Sequence, residues 1–312
     1  MATVITNAYA AGPEESYIRA FTDTIELTLQ QEQSPIWDTI DIDNFIGVRG
    51  HWDRMEAVEA DEKTGRHEEQ NEETAEYSRR RMDYRTIYKQ MPIDINDIEN
   101  MGKNPQSSIV QTIVGALNRK KDQFVIDAFF GDVTVGDPEG SGDTVVSFPS
   151  DQVVAVDYKR GGGGSNTNLN PEKLLRAREI LAANQALNKM QRTYVGLTAS
   201  QYYAMMLNDD VKTIDTFESK PIVDAQIKGI AGFTFVNTEQ LGFQSGSSTI
   251  REIPVWTQDA IKATQKEEMF FKIFDNERRH HEPTIYARCM CNAKRAWEEA
   301  VVKILCDETK AS

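Results

Sequence analysis

The stretch from Val48 to Met91 constrains this chain more than any other, because so little of it can be buried. Between Glu56 and Glu76 stand nine carboxylates (Glu56, Glu59, Asp61, Glu62, Glu68, Glu69, Glu72, Glu73, Glu76) against Lys63 and Arg66, and the run Arg79-Arg80-Arg81 follows. The flanks alternate as strands do. On the return side Met82, Tyr84, Thr86 and Tyr88 share one face, and Asp83, Arg85, Ile87 and Lys89 the other. The pattern predicts a long two-stranded arm over 48–91 with a charged tip. An isolated hairpin is marginal in water, and loops beyond about 12–15 residues are uncommon inside compact domains. Such an arm is either a solvated loop or an element that finds its footing on another subunit. Segregated acidic and arginine-rich blocks favour the second, since each can meet its opposite on a neighbour. Glu68, Glu69, Glu72, Glu73, Arg79, Arg80 and Arg81 are the expected inter-subunit contacts.

Around this arm the chain reads as α+β. Residues 105–130 predict one long helix. Asn104 and Pro105 suit its start, Ile109, Val110, Ile113, Val114, Leu117, Phe124, Val125, Ala128 and Phe129 fill one broad face, and Gly131 stops it. Arg119, Lys120, Asp122 and Gln123 are expected on its polar side. A second helix begins at Asn170-Pro171 and runs to about Met190, and a short one covers Ala199–Leu207. Strands are expected at Thr144–Phe148, Val153–Asp157, Thr193–Leu197, Phe233–Val236, Ile253–Trp256, Glu268–Phe274, Thr284–Cys291 and Ala300–Leu305, with a helical turn at Asp259–Thr264. Near the N-terminus, Tyr17, Phe21, Ile25 and Leu29 form a narrow stripe on a polar helix. That stripe suits a helix lying on a neighbouring surface or on its own domain.

Charge narrows the function classes. Thirty-five Lys+Arg against 49 Asp+Glu give a net charge of −14 in 312 residues. Tight nucleic-acid binding needs a cationic surplus to release counterions from phosphates, so it is disfavoured, whereas a wall that encloses DNA without adhering to it is compatible. Cys289, Cys291 and Cys306 are odd in number and read as reduced thiols in a cytoplasmic setting. Residues 1–15 read as no signal peptide, and no run of about 18 apolar residues suggests a membrane span.

Motifs for chemistry are missing their essential parts. Gly161 to Gly164 with Ser165 lacks the Lys-Ser/Thr of a phosphate loop and reads as a surface loop. Asp137, Glu139 and Asp143 lack the ligand ladder of a calcium loop and read as a turn. His280 and His281 are adjacent, so in a strand they point apart and do not share a metal. Cys289 and Cys291 share a strand face but have no second ligand pair, and read as small buried hydrophobes. No catalytic, cofactor-binding or metal residues are assigned.

The order of elements and several short stretches together resemble the major capsid proteins of tailed double-stranded-DNA bacteriophages. The stretches are Gln30 to Ile36, Pro92-Ile93-Asp94, Asp127 to Gly131, Gly229 to Phe233, Pro254-Val255-Trp256, Ala260-Ile261, Ala287 to Arg295 and Val301 to Ile304. The resemblance implies an N-terminal arm (1–47), an extended loop (48–91), a peripheral domain (92–150 and 250–295) with a spine helix at 105–130, an axial domain (151–249), and a C-terminal strand and tail (296–312). It implies a structural protein of the virion, not an enzyme, that self-assembles in the host bacterial cytoplasm. Pentamers and hexamers would form an icosahedral shell enclosing DNA, with a separate scaffolding protein, a portal and decoration proteins as partners. An encapsulin-like compartment shares the fold and is the nearest alternative; a soluble enzyme with a charged insertion is the alternative of a different class.

Overall fold

The computed structural model describes residues 34–310 except 48, 56–57, 63–64, 66–73, 76, 94–105, 137–142, 163, 188–191, 209–221, 224–225, 228–229 and 280. The expected N-terminal helix, the acidic residues Glu68, Glu69, Glu72 and Glu73, and the Asn104-Pro105 cap lie outside the described residues.

After a 3-10 turn at Trp37–Thr39, the strands begin with β1 (Asp41–Ile42), β2 (Arg49–Met55), β3 (Tyr77–Asp83) and β4 (Arg85–Pro92). Helix α1 (Gln106–Phe130) follows, then β5 (Val133–Val135), β6 (Thr144–Val146) and β7 (Val153–Val154). Next come α2 (Pro171–Ala183), β8 (Thr193–Leu197), α3 (Ala199–Leu207), β9 (Ile222–Val223), β10 (Gln226–Ile227) and β11 (Phe233–Asn237). The chain ends with β12 (Ile250–Thr257), β13 (Ile261–Asn276), β14 (Glu282–Arg295) and β15 (Val301–Asp307).

At 25 residues, α1 is about 37 Å long. Its apolar stripe (Ile113, Leu117, Phe124, Val125, Ala128, Phe129) is buried against the sheet β1-β13-β14-β4, where Ile87, Ile285, Ala287, Cys289 and Cys291 meet it. Asp122, expected on the polar side, is instead fully buried and accepts a hydrogen bond from Ser34 Oγ. Ile36, Trp37 and Ile40 cover the helix at that level, so the residues before β1 close this core. The residue that follows the helix must be glycine, because a Cβ on Gly131 would stand 2.5 Å from the Asp127 carbonyl oxygen. The Arg295 guanidinium also donates to the Phe129 and Gly131 carbonyls at 2.9 Å each, satisfying carbonyls that a helix end leaves open.

The second core lies on the sheet β11-β8-β12-β15-β7, covered by α2 through Leu174, Ala177, Ile180 and Leu181. Asn170 caps α2 as the sequence suggests, its Oδ1 accepting from the Lys173 amide at 2.9 Å. The helix stops at Ala183, earlier than expected. Gln185 enters the left-handed region (φ 56°), while the Gln185 and Ala186 amides donate back to the Ala182 and Leu181 carbonyls. That is a Schellman closure made without glycine, so no sequence signal marked it.

Strand pairing redistributes two segments. β12 and β15 pair antiparallel over Ile250–Trp256 and Val301–Asp307, and β12 also pairs with β8. The C-terminal strand is thus interior to the second sheet, and β12 sits beside it there, away from the sheet of β13 and β14. The expected helical turn at Asp259–Thr264 is only a 3-10 turn at Gln258–Ala260, because Ile261 already opens the 16-residue β13.

Candidate assembly surface

The arm is a shorter hairpin than its alternation suggested. β2 and β3 pair antiparallel from Arg49↔Asp83 to Met55↔Tyr77. β4 then leaves to pair with β14 in the other sheet. The break sits at Tyr84, whose hydroxyl donates to the Phe45 carbonyl (2.7 Å) and accepts from Thr264 Oγ1 (3.1 Å), with its ring 4.3 Å from Phe45. Asn292 Nδ2 meanwhile donates to the Asp83 carbonyl at 2.6 Å. These contacts pull the chain out of the hairpin, and a period-two pattern cannot register such a change of sheet.

The base of the hairpin has its footing on its own chain, which corrects the expectation that only a partner could supply it. Arg80, buried, donates Nη1 to Glu298 Oε1 (2.6 Å) and to the Arg295 carbonyl (3.1 Å), while Nη2 pairs with Glu298 Oε2. Arg54 reaches Glu298 (3.1 Å) and Glu299 (2.5 Å), and its guanidinium lies 4.7 Å from the Trp297 ring centre. Burial alone would raise the Glu298 carboxyl, but hydrogen bonds and charge from Arg80, with Arg295 nearby, hold it below its ordinary value. Burial lowers Arg295, opposed by Glu298. A cleft of about 420 Å³ lies between this base and the body, lined by His51 to Arg54 on one side and by Asp41, Asp259, Lys262 and Trp297 on the other.

The other two arginines face outward more. Arg79 pairs with Asp53 at 2.5 Å, and their side chains stay 42% and 55% exposed, so both remain accessible to a neighbour. Arg81 pairs with Asp143 at 2.6 Å. Sequence reasoning grouped the three arginines, yet alternation along β3 sends Arg80 inward and its neighbours outward. Glu298 and Arg54, which complete the buried node, were missed. Only a buried carboxylate facing a buried arginine marks them, and that is a fact of tertiary structure.

No group of three or more His, Cys, Asp or Glu among the described residues is placed to hold a metal ion. Cys289, Cys291 and Cys306 are free and buried. Desolvation pushes the Cys306 thiol up to about 12, and a hydrogen bond between Cys291 and Cys289 together with burial pushes Cys291 up, so Cys306 and Cys291 are poor nucleophiles. His281 sits in a turn at φ 59°, and Gly161 and Gly162 have open space where a side chain would be. No helix among the described residues is long and apolar enough to cross a membrane.

Comparison with known proteins supplies the context for this arrangement. The family model described as phage capsid protein matches residues 14–308. No curated protein matches the chain. Among solved structures, the capsid of Ralstonia phage GP4 superposes with a TM-score of 0.70 at 9% identity, covering 98% of each chain. The capsid asymmetric unit of cyanophage Pam1 superposes at 0.69 with 12% identity over 99% of each chain. The capsid of cyanophage P-SCSP1u does so at 0.69 with 10% identity over 94% of each. At such identities the likeness is one of fold, shared from one end of the chain to the other. With the family model spanning nearly all of it, the chain belongs to the phage capsid protein family and is a structural protein of the phage head shell.

Proposed function

We propose that this chain is the repeating subunit of an icosahedral head, with pentamers and hexamers joined through the arm and the residues before β1. The DNA inside would be enclosed without sequence-specific contact, in keeping with a net charge of −14. The α1 sheet unit would form the peripheral domain, the β8 sheet unit the axial domain, and the 48–91 segment the extended loop. Assembly in the bacterial cytoplasm with a separate scaffolding protein, a portal and decoration proteins completes the reading. Its main support is the family match along the chain, together with an arm whose exposed Arg79–Asp53 pair and acidic 56–76 segment offer both signs of charge to neighbours. Many weak copies of such contacts add up to a stable shell. Negative-stain electron microscopy of the expressed chain, with and without its neighbouring gene products, tests this. Closed shells are expected; a small oligomer with a ligand-dependent activity would overturn the reading, and shells filled with enzymes would point to a compartment instead.

A further inference from the structure

The sheet beside α1 ends on an unusual margin. β1 pairs with β13 only at Lys262 and Ala263, and register shifts interrupt β13 between Gln265 and Phe270. From Phe270 to Asn276 the strand pairs regularly with β14, and among the described residues no strand pairs with its other edge. Seven regular residues give an open ladder of about 23 Å. It is also apolar: Phe270, Phe271 and Ile273 are 41%, 39% and 53% exposed. Phe271 and Ile273 lie opposite Ala287 and Ile285, which are fully buried, so they continue the core-facing side of the sheet out to its margin. A long, regular, apolar edge invites pairing with another strand, and proteins that keep such edges free usually blunt them with charge, proline or bulges. The register shifts here stop short of this stretch.

We infer that residues 2–10 of a neighbouring copy add as a strand to the Phe270–Asn276 edge of β13. Ala2-Thr3-Val4-Ile5-Thr6-Asn7-Ala8-Tyr9-Ala10 is rich in strand-forming side chains and carries no charge in a chain that is 27% charged. Its nine residues match the seven of the open edge in length. The acidic arm is the rival occupant, but Lys272 and Asp275 leave the Phe270–Asn276 edge neutral, so it offers that arm's nine carboxylates no surplus of counter-charge. The uncharged segment needs none. Residues 11–33 supply 23 residues of chain before Ser34, which is held at Asp122 on α1. That length spans roughly 40 Å with the expected helix through Tyr17 to Leu29 and up to about 75 Å fully extended, in either case more than the length of α1. Main-chain hydrogen bonds would give the affinity, and the exposed Phe and Ile side chains the fit. This inference rests on the shell reading proposed above.

Ile5→Cys and Ile273→Cys in one chain test it, since the three native cysteines are buried and shielded from reagent. Assembled particles would be treated with a short bis-maleimide, which tolerates a slip in register, and separated under denaturing conditions. A ladder of linked chains that requires both substitutions is the expected result. Linkage confined within single chains, or no linkage, would overturn the inference while leaving the shell reading intact. Failure to form particles by the unsubstituted chain would remove the shell reading and this inference with it. As a second measurement, amide exchange over 270–276 should be on the order of tenfold slower in particles of the natural sequence than in the Ile5→Pro/Thr6→Pro variant. One of two adjacent donors must face β13, so the pair of prolines removes it whatever the register. Equal exchange in the two would count against the strand addition.

Discussion

Arg80 and Glu298, 218 residues apart in sequence, hold each other in a two-pronged and almost wholly buried ion pair. The pair fixes the middle of β3, and so the arm, to the loop between β14 and β15. Because Arg54 and Arg295 converge on the same carboxylate, Glu298 is the hub that balances three cations.

Removing that hub leaves buried charge uncompensated. Glu298→Ala is expected to destabilise the folded subunit by about 3–5 kcal/mol, whereas Arg80→Met with Glu298→Leu should recover only part of the loss, because Arg295 and Arg54 still lack their carboxylate. Urea denaturation of unassembled subunit measures both; equal loss in the single and double variants would contradict the assignment.

Acid should release the same node. A carboxyl held below its ordinary value in the fold stabilises fully above its unfolded pKa, about 4.3 for Glu, and that contribution is lost as pH falls through the folded value. Glu298 behaves so, and Glu308 does too: burial would raise its carboxyl, but hydrogen bonds from Arg251 and Gln201 hold it down. Stability followed by denaturation should therefore fall below about pH 4. Glu298→Gln should flatten that acid limb, while an unchanged slope would place the titration elsewhere.

Trp256 is where the two cores touch. Its ring centre lies 4.7 Å from that of Phe129 on α1 and 5.8 Å from that of Tyr194 on β8, and it is fully buried. Trp256→Ala should cost about 3–5 kcal/mol. Its indole N–H has no hydrogen-bond partner among the described residues, so Trp256→Phe, which keeps a ring and deletes that donor, should cost less than half as much in the same denaturation experiment.

The two ends of α2 should respond with opposite signs. Asn170→Ala deletes the cap and should lower stability by about 1 kcal/mol. Gln185→Gly relieves a left-handed backbone that disfavours a Cβ and should raise it by up to about 1 kcal/mol. Paired melting curves check the contrast.

Arg79→Glu separates folding from assembly. Its pair with Asp53 is solvent-exposed, so the substitution should change stability by no more than about 1 kcal/mol. It should nevertheless block shell formation in electron micrographs; normal shells would remove Arg79 from the interface.

Comparing residues with outcome shows where the sequence was readable. Helix α1 runs to Phe130, its expected end, because a 3.6-residue apolar repeat of that length has few other ways to bury itself. The Asn170-Pro171 start of α2 was readable for the same local reason. The end of the hairpin at Tyr84 was not, since alternation runs on unchanged from β3 into β4 while contacts from Phe45, Thr264 and Asn292 divide them. Asp122 was misread as surface because its cover, Ser34 to Ile40, comes from far away in the chain.

By itself, then, the sequence determined which segments could be buried, where two helices lie, and that strand-forming flanks enclose a densely charged segment, because these follow from side chains a few residues apart. Only the tertiary structure decided that Arg80 turns inward to Glu298, that the last strand lies inside the second sheet, and that no strand among the described residues covers the Phe270–Asn276 margin of β13. Those outcomes depend on which distant segments meet, and partners hundreds of residues apart leave no local pattern to read.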